Sequence, residues 1–175
     1  MKIPAWLHPF HGRDASPAAV LLTHGTGLLA AASVIFVNSS RELSFSILQW
    51  ICLALLAWDS AAGVAACLSR STSRYYASRA DLRWVFISLH FIQPLIVLFA
   101  FNCQPEYFLF LWLYPLASAA VLNLLRRSAL VRPLAGLLFV AGVIVLTHLI
   151  RLPLGLEWFG YLFLAKLILC FNPHD

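Results

Sequence analysis

Asp59 is the one charge in the run LALLAWDSAAGVAACL, residues 53 to 68. A buried carboxyl is a candidate general acid, able to give a proton to an alkene, an epoxide or a carbonyl. His24 and His90 are the candidate partners, because an imidazole exchanges a proton near neutral pH. These three are the candidate catalytic residues. Gln93, one helical turn beyond His90, and Lys166 add an amide and an ammonium that could bind a substrate. Arg70 and Arg74 lie in SRSTSRYYASR, residues 69 to 79, with hydroxyls between them. That spacing could hold a phosphate through bidentate hydrogen bonds. The same segment also reads as a topology determinant resting on anionic headgroups, with Tyr75 and Tyr76 as anchors.

Metal chemistry has weaker support. His24, Asp59 and His90 are ligand types used by membrane-embedded zinc sites, but no diagnostic spacing accompanies them. His8 and His11 are three residues apart with Asp14 beyond, yet Pro9 and Gly12 argue against a regular helix holding both imidazoles on one face. No metal or cofactor is assigned. The sequence contains no GxSxG elbow, HExxH pair, phosphate-binding glycine loop or CDP-alcohol transferase carboxylate repeat.

The elements that must position these groups follow from composition. Of 175 residues, 62% are hydrophobic and 11% charged, and the mean hydropathy is +0.85. Both values lie outside the range of soluble domains and point to an integral membrane protein. Apolar runs at 18 to 37, 44 to 68, 84 to 101, 107 to 125, 133 to 150 and 154 to 171 predict about six transmembrane helices. The last two, separated by RLP, could instead form a re-entrant pair. The runs are continuously apolar, so an all-α helical bundle is expected and not a barrel. It fills residues 1 to 175 as a single domain, with a short cytoplasmic segment at 1 to 17. The first run follows a polar lead and lacks a small-residue cleavage site, so it reads as a retained helix; no lipidation signal is visible.

Charge sets the orientation. Lys2, Arg13, Arg70, Arg74, Arg79, Arg83, Arg126, Arg127 and Arg132 fall on one side, against Arg41 and Arg151 on the other. By the positive-inside rule both termini are cytoplasmic. The basic balance is thus explained by topology and anionic lipid, and no nucleic-acid partner is expected. Membrane lipids, a lipophilic small molecule and a second copy of the chain are the partners considered. Cys52, Cys67, Cys103 and Cys170 show no CxxC spacing and mostly face the reducing side, so no structural disulfide is expected.

Depth joins the polar residues. At about 1.5 Å per residue, His24 lies roughly 9 Å into the first span and Asp59 roughly 13 Å from the cytoplasmic end of the second. On the same rise, His90 and Gln93 lie roughly 9 and 13 Å into the third span, and Lys166 roughly 8 Å from the inner end of the sixth. The five side chains therefore share a layer in the cytoplasmic half. Intramembrane ionisable groups pair or line pathways, and Lys166 is the expected counter-charge to Asp59, or else a snorkelling side chain. Ala57, Ala61 and Ala65, with Asp59 and Gly63, recur at four-residue spacing and predict close helix approach, as do Thr23, Gly27 and Ala31. Pro94 and Pro115 predict kinks. Glu106, His148, Arg151 and Glu157 form a second polar group at the outer helix ends, where Trp158 and Tyr161 suit an interfacial belt.

Three functions fit this pattern. One is a membrane-embedded enzyme acting on a lipid or isoprenoid-like substrate by acid–base chemistry at Asp59. The second is a proton-coupled transporter or permease subunit, and the third a structural or assembly subunit whose polar layer fixes packing.

Overall fold

Polar residues start the apolar helices. Ser16 accepts a hydrogen bond from the Ala19 amide at 3.1 Å, ahead of Pro17, which suits a first turn because it has no amide hydrogen to leave unpaired. Ser46 and Gln49 form a reciprocal capping box. In the computed structural model these caps open α2 (Pro17–Ser40) and α3 (Ile47–Leu68). They follow a single turn, α1 (His8–His11). The structure describes residues 3 to 170, apart from the side chain of Trp6; Lys2 and residue 171, the expected end of the sixth span, lie outside it.

The chain continues through α4 (Arg70–Ala77), α5 (Ala80–Leu89), α6 (Ile92–Phe101), α7 (Pro105–Leu124), α8 (Val131–His148) and α9 (Glu157–Leu164). There is no strand among the described residues. Five segments are long and apolar enough to cross a membrane: α2, α3, the α5–α6 pair, α7 and α8. The expected sixth span departs from this. After eight α-helical residues, α9 passes into a π-helical turn, Ala165–Cys170, and together the two parts are shorter than the other spans.

This last segment is nevertheless the centre of the bundle. Phe159, Phe163, Leu164, Leu167 and Ile168 are fully buried, packed by α3, α7 and α8. Helices this apolar hold together in large part by close van der Waals packing. Gly27 shows how: a Cβ there would lie 2.6 Å from Trp58 Cδ1, so its absence lets α2 lie flat on α3. By contrast the outer faces are apolar and uncovered, with Phe36 on α2 and Phe99 on α6 more than 70% exposed.

Two local departures from the sequence reading matter for the site. The connection after α3, read from the sequence only as a basic segment between spans, contains α4, capped by Ser69. It turns Thr72 and Tyr76 inward and Arg70 and Arg74 outward. Arg83, counted among the loop charges, is only 2% exposed. Its guanidinium donates to Asn123 Oδ1 at 2.8 Å and to the Tyr76 and Ala77 carbonyls at 2.6 and 3.0 Å, fastening α4 and α5 to α7.

Pro115 lies inside α7, which runs on through it. Pro94 acts more strongly. Proline lacks the amide hydrogen that would bond to the carbonyl four residues back, and its ring crowds that carbonyl. Here that residue is His90, where the helix stops and restarts: α5 ends at Leu89 and α6 begins at Ile92. The His90 amide bonds to Ile87, three residues back, at 3.2 Å.

Candidate functional site

The break at His90 fixes the state of its ring. Because the His90 amide has turned to Ile87, the Phe86 carbonyl is open to the His90 side chain, whose Nδ1 lies 2.6 Å from it. A carbonyl only accepts, so Nδ1 carries the hydrogen and Nε2 keeps its lone pair. That lone pair is buried and has no partner among the described residues; the residue as a whole is 8% exposed.

Asp59 projects from α3 toward the same place. Its Oδ2 receives the Lys166 ammonium at 2.8 Å and the Gln93 Nε2 amide in a short contact. Lys166 reaches it from the π turn, across Gly63: a Cβ on Gly63 would stand 2.3 Å from Lys166 Cε. The small-residue face expected on the second span is therefore the channel through which the lysine passes. Since a carboxylate oxygen accepts only, the Gln93 amide turns its NH₂ to Asp59 and its Oε1 away. That Oε1 is a second buried acceptor without a partner among the described residues.

His24 stands near this group but is bonded elsewhere. Its ring stacks on Trp58 with centroids 5.7 Å apart and planes 15° apart, and its Nε2 lies 3.0 Å from His11 Nε2. One of the two rings must donate and the other accept, so they hold complementary tautomers. Burial, and then the neighbouring His24, lower the pKa of His11 below its ordinary 6.5. His11 belongs to an N-terminal segment folded back onto α4: Thr72 donates to the Phe10 carbonyl and Tyr76 to the Pro9 carbonyl, both at 3.1 Å. Gly12 makes the fold-back possible, with φ of +71° and no room for a Cβ against Ser71. Pro9 sits in the first turn of α1, where it is tolerated, so one helical turn forms after all. Its two imidazoles still diverge, since His8 Nε2 bonds to the Ile3 carbonyl at 2.8 Å.

These groups line one cavity of about 440 Å³, within the size range of sites for drug-sized ligands. Along α3 it is lined from Cys52 to Cys67, which at the helical rise is about 22 Å. Phe10 and Tyr76 close one end, while Asp59, Gln93, Lys166 and His90 are its polar wall and the rest is mainly apolar. Leu55, Val85, Leu89 and Ile92 on its rim are 44 to 59% exposed, so the cavity opens sideways between α3 and the α5–α6 break.

Of the residues expected from the sequence, Asp59, His90, His24, Gln93 and Lys166 line this cavity. Arg70 and Arg74 stand exposed on the outer face of α4, away from it. His11 was noted only for its spacing to His8, and its pairing with His24 depends on the fold-back at Gly12. Among the described residues no three His, Cys, Asp or Glu side chains converge as a metal-ligand set. Glu157, from the outer group, pairs with Arg41 at 2.9 Å; both side chains are at least a third exposed, and such pairs contribute at most about 1 kcal/mol. Comparison with protein-family models, curated proteins and solved structures gives no match to this chain.

Proposed function

We propose that the protein is a multi-pass membrane enzyme that takes a lipophilic molecule from the bilayer and acts on it by acid–base chemistry. The observation that carries this is the lone pair of His90 Nε2, buried and without a partner among the described residues, on a side chain that lines a mainly apolar cavity opening sideways. A base must lie within hydrogen-bonding reach of the proton it takes, and this one has no competing donor. Asp59, held by Lys166 and Gln93 in the same polar wall, is the carboxylate available beside His90 for a second proton-transfer role. Lipid meets the exposed apolar faces, and α9 with its π turn makes a sixth crossing beside the five long helices. Both termini then lie on the cytoplasmic side, in agreement with the exposed Arg70, Arg74, Arg127 and Arg132 at that end of the bundle.

The test is conversion. Purified protein in lipid nanodiscs is incubated with a neutral-lipid extract, and products are followed by mass spectrometry for wild type, His90→Ala and Asp59→Asn. Product formation by wild type that both variants lose supports the enzyme. Full activity in both variants removes the site. A proton-coupled carrier would use the Asp59–Lys166 pair, and proton flux in proteoliposomes without chemical change would favour it. A purely structural layer predicts that neither conversion nor flux is seen while both variants lose stability.

A further inference from the structure

The two unpartnered atoms in the polar wall are both acceptors, and this restricts the chemistry of the molecule that binds. His90 Nε2 bears a lone pair because Nδ1 donates to Phe86. Gln93 Oε1 is left over because Nε2 donates to Asp59. The residues are three apart, one turn across the α5–α6 break, and both line the cavity. Asp59 is a third acceptor: Oδ2 takes both the lysine and the amide, and no donor meets Oδ1 among the described residues. A buried acceptor left without a donor loses its hydration and gains nothing in return. The wall therefore calls for a group that donates a hydrogen bond and brings no charge of its own.

Charge narrows the choice. The Asp59 carboxylate and the Lys166 ammonium cancel, so the wall has no net charge to hold an ionic head. A carboxylate or phosphate would bring further lone pairs against those of His90 and Gln93. An ammonium would donate, but would stand beside a lysine that already occupies the carboxylate. A hydroxyl fits both constraints, being neutral and able to donate to Nε2. The long apolar remainder of the cavity and its opening toward the hydrocarbon suit a chain attached to that hydroxyl.

We infer that the ligand is a neutral lipophilic alcohol, whose O–H donates to His90 Nε2 and whose chain runs along α3 toward Cys52. This rests on the reading of the cavity as a site for a lipophilic molecule and adds the identity of the polar head.

The experiment compares two photoreactive probes on the wild-type protein in nanodiscs: a long-chain primary alcohol with a diazirine in its tail, and its methyl ether, which is alike except for the donor. Modified residues are mapped by mass spectrometry. The alcohol should label cavity residues of α3 and α5–α6, be displaced by unlabelled hexadecanol, and exceed the ether by about tenfold, the effect of one buried acceptor left unsatisfied. His90→Leu should reduce alcohol labelling to the ether level. If His90→Leu does not fold, His90→Phe, which keeps a ring and removes Nε2, should likewise reduce alcohol labelling to the ether level. Equal labelling of the cavity by alcohol and ether overturns the hydroxyl assignment, with water then satisfying the acceptors, and leaves the lipophilic cavity standing. Labelling confined to outward residues such as Phe36 and Phe99 overturns both.

Discussion

Lys166 Nζ stands 2.8 Å from Asp59 Oδ2, across 107 residues of chain. The two ends of this bond are not equally sheltered. The lysine side chain is 4% exposed and the aspartate 34%, on the cavity side.

Removing either partner should therefore have unequal effects. Asp59→Asn leaves a buried ammonium without its counter-charge and is expected to lower unfolding stability by about 3 kcal/mol, the low end for a broken buried pair. Lys166→Met leaves a carboxylate that the cavity partly solvates, and its loss should be smaller. The double variant should recover part of the sum. Denaturant titration of all four forms in detergent measures the coupling, and strictly additive losses would show that the pair is not coupled.

Gly63→Ala tests the same pair without changing a charge. The added methyl would occupy the space of Lys166 Cε, and the flexible lysine end is the part able to move. Overpacking of this kind costs about 1–3 kcal/mol. In the Gly63→Ala background, the coupling between Asp59 and Lys166 should fall toward zero. Coupling that persists at its wild-type value would mean that the lysine reaches the carboxylate by another route.

Pro94→Ala should restore a backbone donor to the His90 carbonyl and allow α5 and α6 to join. The His90 amide can then return to Phe86 and displace the ring from that carbonyl. Nitrogen NMR of labelled histidine should show the fixed Nδ1–H tautomer in wild type and a mixture in the variant, with stability unchanged or higher. An unchanged tautomer would separate the proline from the orientation of the imidazole.

Acidification should loosen the N-terminal segment. The folded pKa of His11 is below its ordinary 6.5, so the unfolded or released segment binds protons more readily than the docked one. Its contribution is complete above that ordinary value and is lost as pH falls below it toward the folded value. Protonation of both rings also removes the acceptor from the His11–His24 bond. A cysteine placed at Phe10 should react with a water-soluble maleimide faster at pH 5.5 than at pH 7.5, after correction for thiolate fraction, and His11→Phe should abolish the difference. Equal corrected rates in the wild-type background would remove the histidine pair as the latch.

Depth was legible in the sequence because rise per residue is nearly constant, which is why Asp59, His90, Gln93 and Lys166 were expected at one level and line one cavity. Direction around each helix was less so. His24 shares that level but bonds to His11, because a glycine turn outside the span brings the N-terminal segment back. Arg83 read as a loop charge because nothing local marks the carbonyls it fastens, which α4 supplies only after folding. That helix escaped notice since its inward face is only Thr72 and Tyr76 in a polar run. Pro94 announced a distortion, whereas the tautomer of His90 follows from the hydrogen bond that the distortion makes available.

The π turn at Ala165–Cys170 holds more residues per turn than an α-helix, so it sets the register of every side chain after its start. Deleting Ala165, the one residue of the turn that precedes Lys166, would rotate Lys166 by about 100°. A chain could thus lose its cation from the carboxylate through a single lost codon, with every cavity side chain still present in the sequence. Among descendants of one ancestor, such an indel would divide proteins with a neutral polar wall from proteins with an acidic one. Alignment by residue identity alone would pass over that division.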